Sequence, residues 1–224
     1  MVTIIIPVLN EEKTIIQTLQ NVSRLVGEKE IIVVDGGSTD KTVELARTYA
    51  RVIQSEKGRA KQMNAGAKVA NDNILWFIHS DSVLEPNSLE EIEKAIEEGY
   101  IGGFFQLYFY DLKTKMMKFI ATTSNWRARY LKLIFGDQGT FMRKDIFETI
   151  GGYKNMDLME DWDLSQRIHK VGKMKKVKSK IGTSARRFEQ GGPLRTLLKL
   201  HRIKILYMLG VQGDKLARIY KEVR

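Results

Sequence analysis

Five short clusters in this chain carry the side chains that could do chemistry. Asp35 closes an apolar run and is followed by Gly36-Gly37-Ser38, where glycines let backbone N–H groups approach a bound group closely. Gly58-Arg59 opens a segment rich in Ala and Gly. An arginine at a helix N-terminus attracts phosphate. His79-Ser80-Asp81 ends another apolar run. Asp81 offers a hard oxygen ligand to a divalent cation, and His79, neutral at pH 7, suits Mn²⁺ better than Mg²⁺. Glu160-Asp161 stands where a helix should begin. Acids there answer the helix macrodipole, and they are also groups that can take a proton from a weak hydroxyl nucleophile. Arg186-Arg187 can clamp a diphosphate by bidentate hydrogen bonds. Each cluster also has an ordinary explanation: a turn, a cap, tight helix-to-sheet packing or a solvated face.

The elements that must position these groups follow from the hydrophobic pattern. Val2–Pro7, Glu30–Asp35, Val52-Ile53 and Ile74–Ile78 read as strands, since short β-branched runs suit a sheet covered on both faces. Glu11–Leu25 has helical apolar spacing, and Ser38-Thr39-Asp40 reads as the N-cap region of a helix running to Thr48. Residues 58–70 and Pro86 to Glu97 read as further helices. Strand and helix alternating at short connections imply right-handed crossovers and a mostly parallel sheet with helices on both faces. Ligands of such sheets bind beyond the carboxyl ends of the strands. Leu9-Asn10-Glu11, Asp35 to Ser38 and His79 to Asp81 all fall there, so three unrelated segments converge on one edge. Beyond them, Gly102–Phe109 reads as a strand, and residues 112–135, 145–150 and 160–171 as helices. Trp76, Trp126 and Trp162 read as core or packing residues. Residues 1–190 are expected to form one domain and residues 191–224 a basic helical extension.

The ordered set of motifs resembles a known family. It comprises Ile6–Glu12, Val33–Asp40, Gly58–Gly66, His79–Asp81, Gly151-Gly152-Tyr153 and Glu160–Arg167. The chain is similar to family-two glycosyltransferases of GT-A fold, which include the dolichyl-phosphate mannosyltransferases. It most resembles the small stand-alone members associated with radical-SAM genes, through Gly136-Asp137-Gln138, Met159-Glu160-Asp161 and Thr183–Arg187. The resemblance implies a nucleotide-sugar donor bound near Pro7, Leu9, Asn10, Glu11, Asp35, Gly36, Ser38, Gly58, Arg59 and Asn64, with Asp35 accepting from the base. It implies a divalent metal, Mn²⁺ or Mg²⁺, on Asp81 beside Ser80. His79 takes the place of the first acid of the family's Asp-x-Asp motif, a departure that leaves its own role as ligand or loop-orienting residue open. Asp161, with Glu160, is implied to deprotonate the acceptor in an inverting transfer; with a phosphate acceptor, already ionised, Asp161 would orient the acceptor or bind metal instead. Asp137-Gln138 matches an acceptor-side loop, and a tight turn explains it equally well. Arg186-Arg187-Phe188 lies where some members carry Gln-x-x-Arg-Trp; the lost Gln spacing and the Phe do not support processive polymerisation.

Charge sets further bounds. The formal net charge is +10 and there is no cysteine, which excludes disulfides and thiolate metal sites and suits a reducing, cytoplasmic setting. The basic excess lies in residues 173–224 and favours an anionic partner. No run approaches a transmembrane length, and no signal-peptide pattern opens the chain. Residues 194–209 form a basic amphipathic helix, with Leu194, Leu197, Leu198, Ile205, Met208 and Leu209 on one stripe and Arg195, Lys199 and Arg202 on another. Such a helix either docks on its own domain or lies on an anionic membrane surface. Nucleic-acid binding would rest on charge alone, without a base-reading motif. A sugar nucleotidyltransferase would need a basic glycine-rich loop after the first strand, and Pro7–Glu12 does not supply one. A non-catalytic nucleotide-sugar binder is the remaining alternative, motivated by His79.

Overall fold

The computed structural model describes residues 1–221. The first half alternates β1 (Val2–Val8), α1 (Ile15–Ser23), β2 (Lys29–Asp35), α2 (Thr42–Ala46), β3 (Arg51–Gln54), α3 (Arg59–Val69), β4 (Ile74–Phe77), β5 (Val83–Leu84) and α4 (Ser88–Glu97). The second half runs β6 (Gly102–Phe109), α5 (Lys115–Tyr130), a 3-10 turn at Gly136–Gln138, β7 (Phe141–Arg143), α6 (Lys144–Thr149), α7 (Glu160–Val171) and β8 (Met174–Thr183). Three helices follow: α8 (Arg186–Gly191), α9 (Pro193–Met208) and α10 (Gly213–Lys221).

One mixed sheet has the order β3-β2-β1-β4-β7-β6-β8-β5. β3, β2, β1 and β4 are parallel, β7 runs antiparallel between β4 and β6, β6 and β8 are parallel, and β5 is antiparallel at the edge. Side-chain alternation explains the two cores. Ile4, Ile6, Val33 and Trp76 point to the face covered by α1 and α4, while Ile5, Ile32, Val34, Leu75 and Phe77 point to the face covered by α3 and α7. Gly66 lets α3 approach the sheet, since a Cβ there would stand 2.5 Å from Ile5 Cγ2. Gln62 then bolts the sheet's carboxyl edge: its Nε2 donates to Val8 O and Val34 O, each at 2.8 Å.

Several elements depart from the sequence expectation. The first helix begins at Ile15, because the Glu11 N–H is held by Thr42 Oγ1 and the Glu11 carbonyl accepts from Thr14 and Ile15. The second helix starts at Thr42 and stops at Ala46, with Asp40 Oδ1 accepting from the Thr42 N–H and hydroxyl. The long helix ends at Tyr130 rather than at 135. β5, β7, β8 and α8 were not expected. β8 hides its period: Val177, Ser179 and Ile181 are buried while Lys178 and Lys180 point out, so the segment reads as a basic run. Trp76 and Trp162 are buried as expected, but Trp126 is 55% exposed, because it lies opposite the face α5 packs. Among the described residues, no helix is long and apolar enough to cross a membrane.

Candidate active site

The loops at the carboxyl edge are fastened to one another. The Gly36 N–H donates to Val8 O at 3.0 Å. Asp35, 1% exposed, accepts from the N–H groups of Gly37 and Ser38 at 3.0 and 3.1 Å, so its carboxylate is largely committed to its own loop. Asn10 sits in the left-handed region at φ 55°, donates its N–H to Ser38 Oγ and accepts from the Thr39 N–H. Non-glycine residues adopt that conformation at a cost, usually at functional loops. Asn64 exchanges two hydrogen bonds with the Tyr153 backbone, so its amide holds the Gly151-Gly152-Tyr153 turn. The Ser80 carbonyl accepts from the Thr18 hydroxyl at 2.6 Å, fixing the loop that carries His79 and Asp81.

The second half brings its groups to the same edge. Met159, at φ 73°, turns the chain into α7 so that Glu160 and Asp161 occupy the first turn. The Gly136 N–H donates to Asp161 Oδ2 at 2.8 Å. Gly136 also lies against His79: a Cβ there would stand 2.7 Å from His79 Nε2 and 3.1 Å from Asp161 Oδ2. His79 Nε2 and Asp161 Oδ1 are both buried with no hydrogen-bond partner, as is Asp137 Oδ1. Glu160, 3% exposed, faces Arg59 Nη1 at 3.7 Å from its Oε1. Arg186 Nη2 donates to Glu11 Oε1 at 3.5 Å. Arg187 stands over the Tyr220 ring at 4.9 Å.

Electrostatics join these groups into one site. Burial pushes Glu160 up to about 7, with Asp161 adding to the rise and Arg59 opposing it. Burial likewise raises Asp161, against Arg59 and the Gly136 hydrogen bond. Burial also raises Asp81, against the pull of Arg186 and Arg59 and with Glu11 adding to it. His79 is held well below its ordinary value by burial and then by Arg59, Arg187 and Arg186, so its imidazole is neutral. Burial opposes the charge on Arg59, but Glu160, Asp161, Tyr220 and Asp81 together raise its pKa. Arg59 thus feels both Asp81 and Asp161, which arrive from opposite halves of the chain.

Three contributors were not assigned to the site from the sequence. Arg127 donates to Leu133 O and Gln138 Oε1 and stacks 3.7 Å from the Phe135 ring centroid. Lys204 reaches the same ring at 5.1 Å, and burial lowers it to about 8, with Arg127 adding to the fall and Asp137 opposing it. Tyr220 arrives from α10. Spacing held no signal for any of them, since each sits on an ordinary helix face. Two shallow surface depressions lie elsewhere, one lined by Met1, Ser23, Gly27 and Lys29, the other by Lys132, Trp162, Gln166 and His169.

A sheet of this order, with acids and arginines gathered at its carboxyl edge, is the fold of GT-A glycosyltransferases. The sequence matches the description "Glycosyl transferase family 2" over residues 3–151, and the chain belongs to that family. A PGL/p-HBAD biosynthesis glycosyltransferase of Mycobacterium tuberculosis is 29% identical over 184 residues, covering 75% of this chain and 69% of the relative. The probable glycosyltransferase YdaM of Bacillus subtilis is 24% identical over 198 residues, covering 76% of this chain and 47% of the relative. The mannosyltransferase PcManGT from Pyrobaculum calidifontis, solved with GDP-Man and Mn²⁺, superposes with a TM-score of 0.68 at 17% identity. That match covers 92% of this chain and 61% of the solved one. S. aureus TarS 1-349 superposes at 0.62 and 17% identity, covering 89% of this chain and 64% of that one. The chain therefore spans less than two thirds of the length of these two solved structures.

Proposed function

We propose that the chain transfers a sugar from a nucleotide-diphosphate-sugar to an acceptor hydroxyl, with inversion at the anomeric carbon. The observation that carries this reading is the pair of unpartnered buried atoms, His79 Nε2 and Asp161 Oδ1, on two side chains that both lie against Gly136 and within the field of Arg59. Buried polar atoms are nearly always satisfied, so such a pair marks a place that a ligand completes. The donor's base and ribose lie along Pro7, Leu9, Asn10, Gly36 and Ser38, with the Asp35 loop beneath. Arg59, at the start of α3 after Gly58, and Arg186 with Arg187 face the diphosphate. Asp161 Oδ1 takes the acceptor's proton while Gly136 holds Oδ2. The acceptor oxygen bonds to the anomeric carbon as the bond from that carbon to the diphosphate breaks, and the nucleoside diphosphate leaves with the electron pair. Glu160, paired with Arg59, sets the field around Asp161. Asp137 and Gln138 lie on the acceptor side. Residues 1–190 hold the donor, and the segment from 191 onward covers the acceptor side through Lys204 and Tyr207.

We propose that Asp81 and His79 serve a divalent cation. Asp81 supplies a hard oxygen, His79 a neutral nitrogen with no protein partner. Among the described residues no three such ligands cluster, so these two would hold it with the diphosphate's own oxygens. Bound there, a cation would neutralise charge on the leaving diphosphate. The test is transfer from a panel of nucleotide-sugars, with the product's anomeric configuration read by NMR. The reading expects a product of opposite configuration to the donor and loss of transfer in Asp161→Asn. Retained configuration, or full activity in that variant, overturns it.

A further inference from the structure

The exposed apolar surface of this chain is concentrated in one kind of place. Of the twelve large hydrophobics exposed among the described residues, nine lie on α5, on α9 or on the residue that follows each. On α5 these are Phe119, Trp126 and Tyr130, with Leu131 behind them. They are spaced seven and four apart, a single stripe on the side away from Met117, Ile120 and Ala128. On α9 they are Leu194, Leu198, Ile205 and Met208, with Leu209 behind. The inner face of α9 is a different set: Leu197 and Leu200 pack with Met117, Ile120 and Phe188 of the neighbouring helices, and Ile203 is 2% exposed. The stripe read from the sequence is thus divided, one part docked and the larger part facing outward.

Charge selects what covers that outward face. Neither helix contains an Asp or Glu. Lys115, Lys118 and Arg129 are exposed on α5, and Arg195 and Arg202 on α9. An apolar stripe flanked only by cations complements a surface that is anionic outside and apolar within. A second copy of this chain carries the same cations, so pairing two such faces would set like charges together. We propose that α5 and α9 form a docking surface for an anionic lipid bilayer. The inward side of α9 holds Lys204 over Phe135 and Tyr207 against Trp162 at 5.9 Å, so the docked helix also borders the Asp161 side of the site.

Trp126 supplies a direct reporter, because the other two tryptophans, Trp76 and Trp162, are 0% and 7% exposed. The full chain is mixed with vesicles of phosphatidylcholine, with and without phosphatidylglycerol, at low and high salt, and followed by sedimentation and tryptophan emission. The expected result is binding at least roughly tenfold tighter to the anionic vesicles, weakened by salt, with a blue shift that Trp126→Phe removes. Leu198→Glu with Ile205→Glu lowers binding at least about tenfold, as does Arg195→Glu with Arg202→Glu, while circular dichroism stays unchanged. The second pair reverses charge at exposed positions and keeps the test open if the first unfolds. Absence of binding at low salt, or equal binding to both vesicle types, overturns the proposal. So does a dimer in light scattering that the Leu198 and Ile205 changes dissolve. Binding is measured without donor or acceptor, so its failure and a failure of the transferase reading are separate results.

Discussion

The backbone N–H of Gly136 donates to one oxygen of Asp161 at 2.8 Å and leaves the other buried without a partner. A carboxylate held by one oxygen and open at the other is oriented before an acceptor arrives. Asp161→Asn keeps an oxygen for Gly136 and removes the proton acceptor. The expected loss in transfer rate is about 10²–10⁴-fold, with donor affinity little changed. Steady-state kinetics against donor concentration checks both halves of that statement.

Gly136 itself should resist substitution. In Gly136→Ala the new methyl would meet His79 Nε2 and Asp161 Oδ2 together. Displacing catalytic groups by about an ångström costs on the order of 10²-fold in rate. The fold should survive, since the crowding lies in a loop. Transfer rate and thermal unfolding of the purified variant are the measurements; a rate near wild type would show that the two groups do not act together.

The acidic pair predicts a pH signature in stability. Glu160 is raised from 4.5 to about 7 and Asp161 is raised beside it. A carboxyl so raised keeps its proton in the folded chain while the unfolded chain releases it, so the folded state loses stability as pH climbs from about 4.5 to about 7. Glu160→Gln removes one ionisation and should flatten that fall. Chemical denaturation at pH 5 and pH 8 gives the comparison. The same pair predicts a transfer rate that rises with pH as the pair ionises, because Asp161, its carboxyl raised by burial, acts deprotonated.

Much of this was legible in the sequence. The β1 and β2 runs are rich in β-branched residues and β4 is wholly apolar, because both faces are buried, and the chemistry-bearing clusters announce themselves by ending such runs. The other half was harder. β8 alternates Lys with its buried residues and sits near the sheet's edge, so its period is masked by charge. Arg127, Lys204 and Tyr220 reach the site from α5, α9 and α10, where their positions look like ordinary solvated faces. Only the packing of those helices around Phe135 and Arg187 places them. Asn64 was readable as part of a small-residue helix, but its pairing with Tyr153, 89 residues away, has no local signal.

Gln62 ties two strand ends beside the proposed donor site. Gln62→Leu removes both hydrogen bonds, and although Val8 O keeps the Gly36 N–H, the cost is about 1–3 kcal/mol. Denaturant unfolding should register that loss, and the Asp35 loop should bind nucleotide more weakly as β1 and β2 loosen.

The central claim is that Asp81 and Asp161, from opposite halves of the chain, serve one bound diphosphate-sugar. Its most direct test is the thermal shift produced by nucleotide-sugars with Mn²⁺ or Mg²⁺, because a ligand that prefers the native state raises its melting temperature. At least one nucleotide-sugar should stabilise the wild type, Asp81→Ala should abolish the shift, and Asp161→Asn should retain it while transfer is lost. No shift with any nucleotide-sugar, or a shift untouched by Asp81→Ala and Arg59→Ala, would contradict the account.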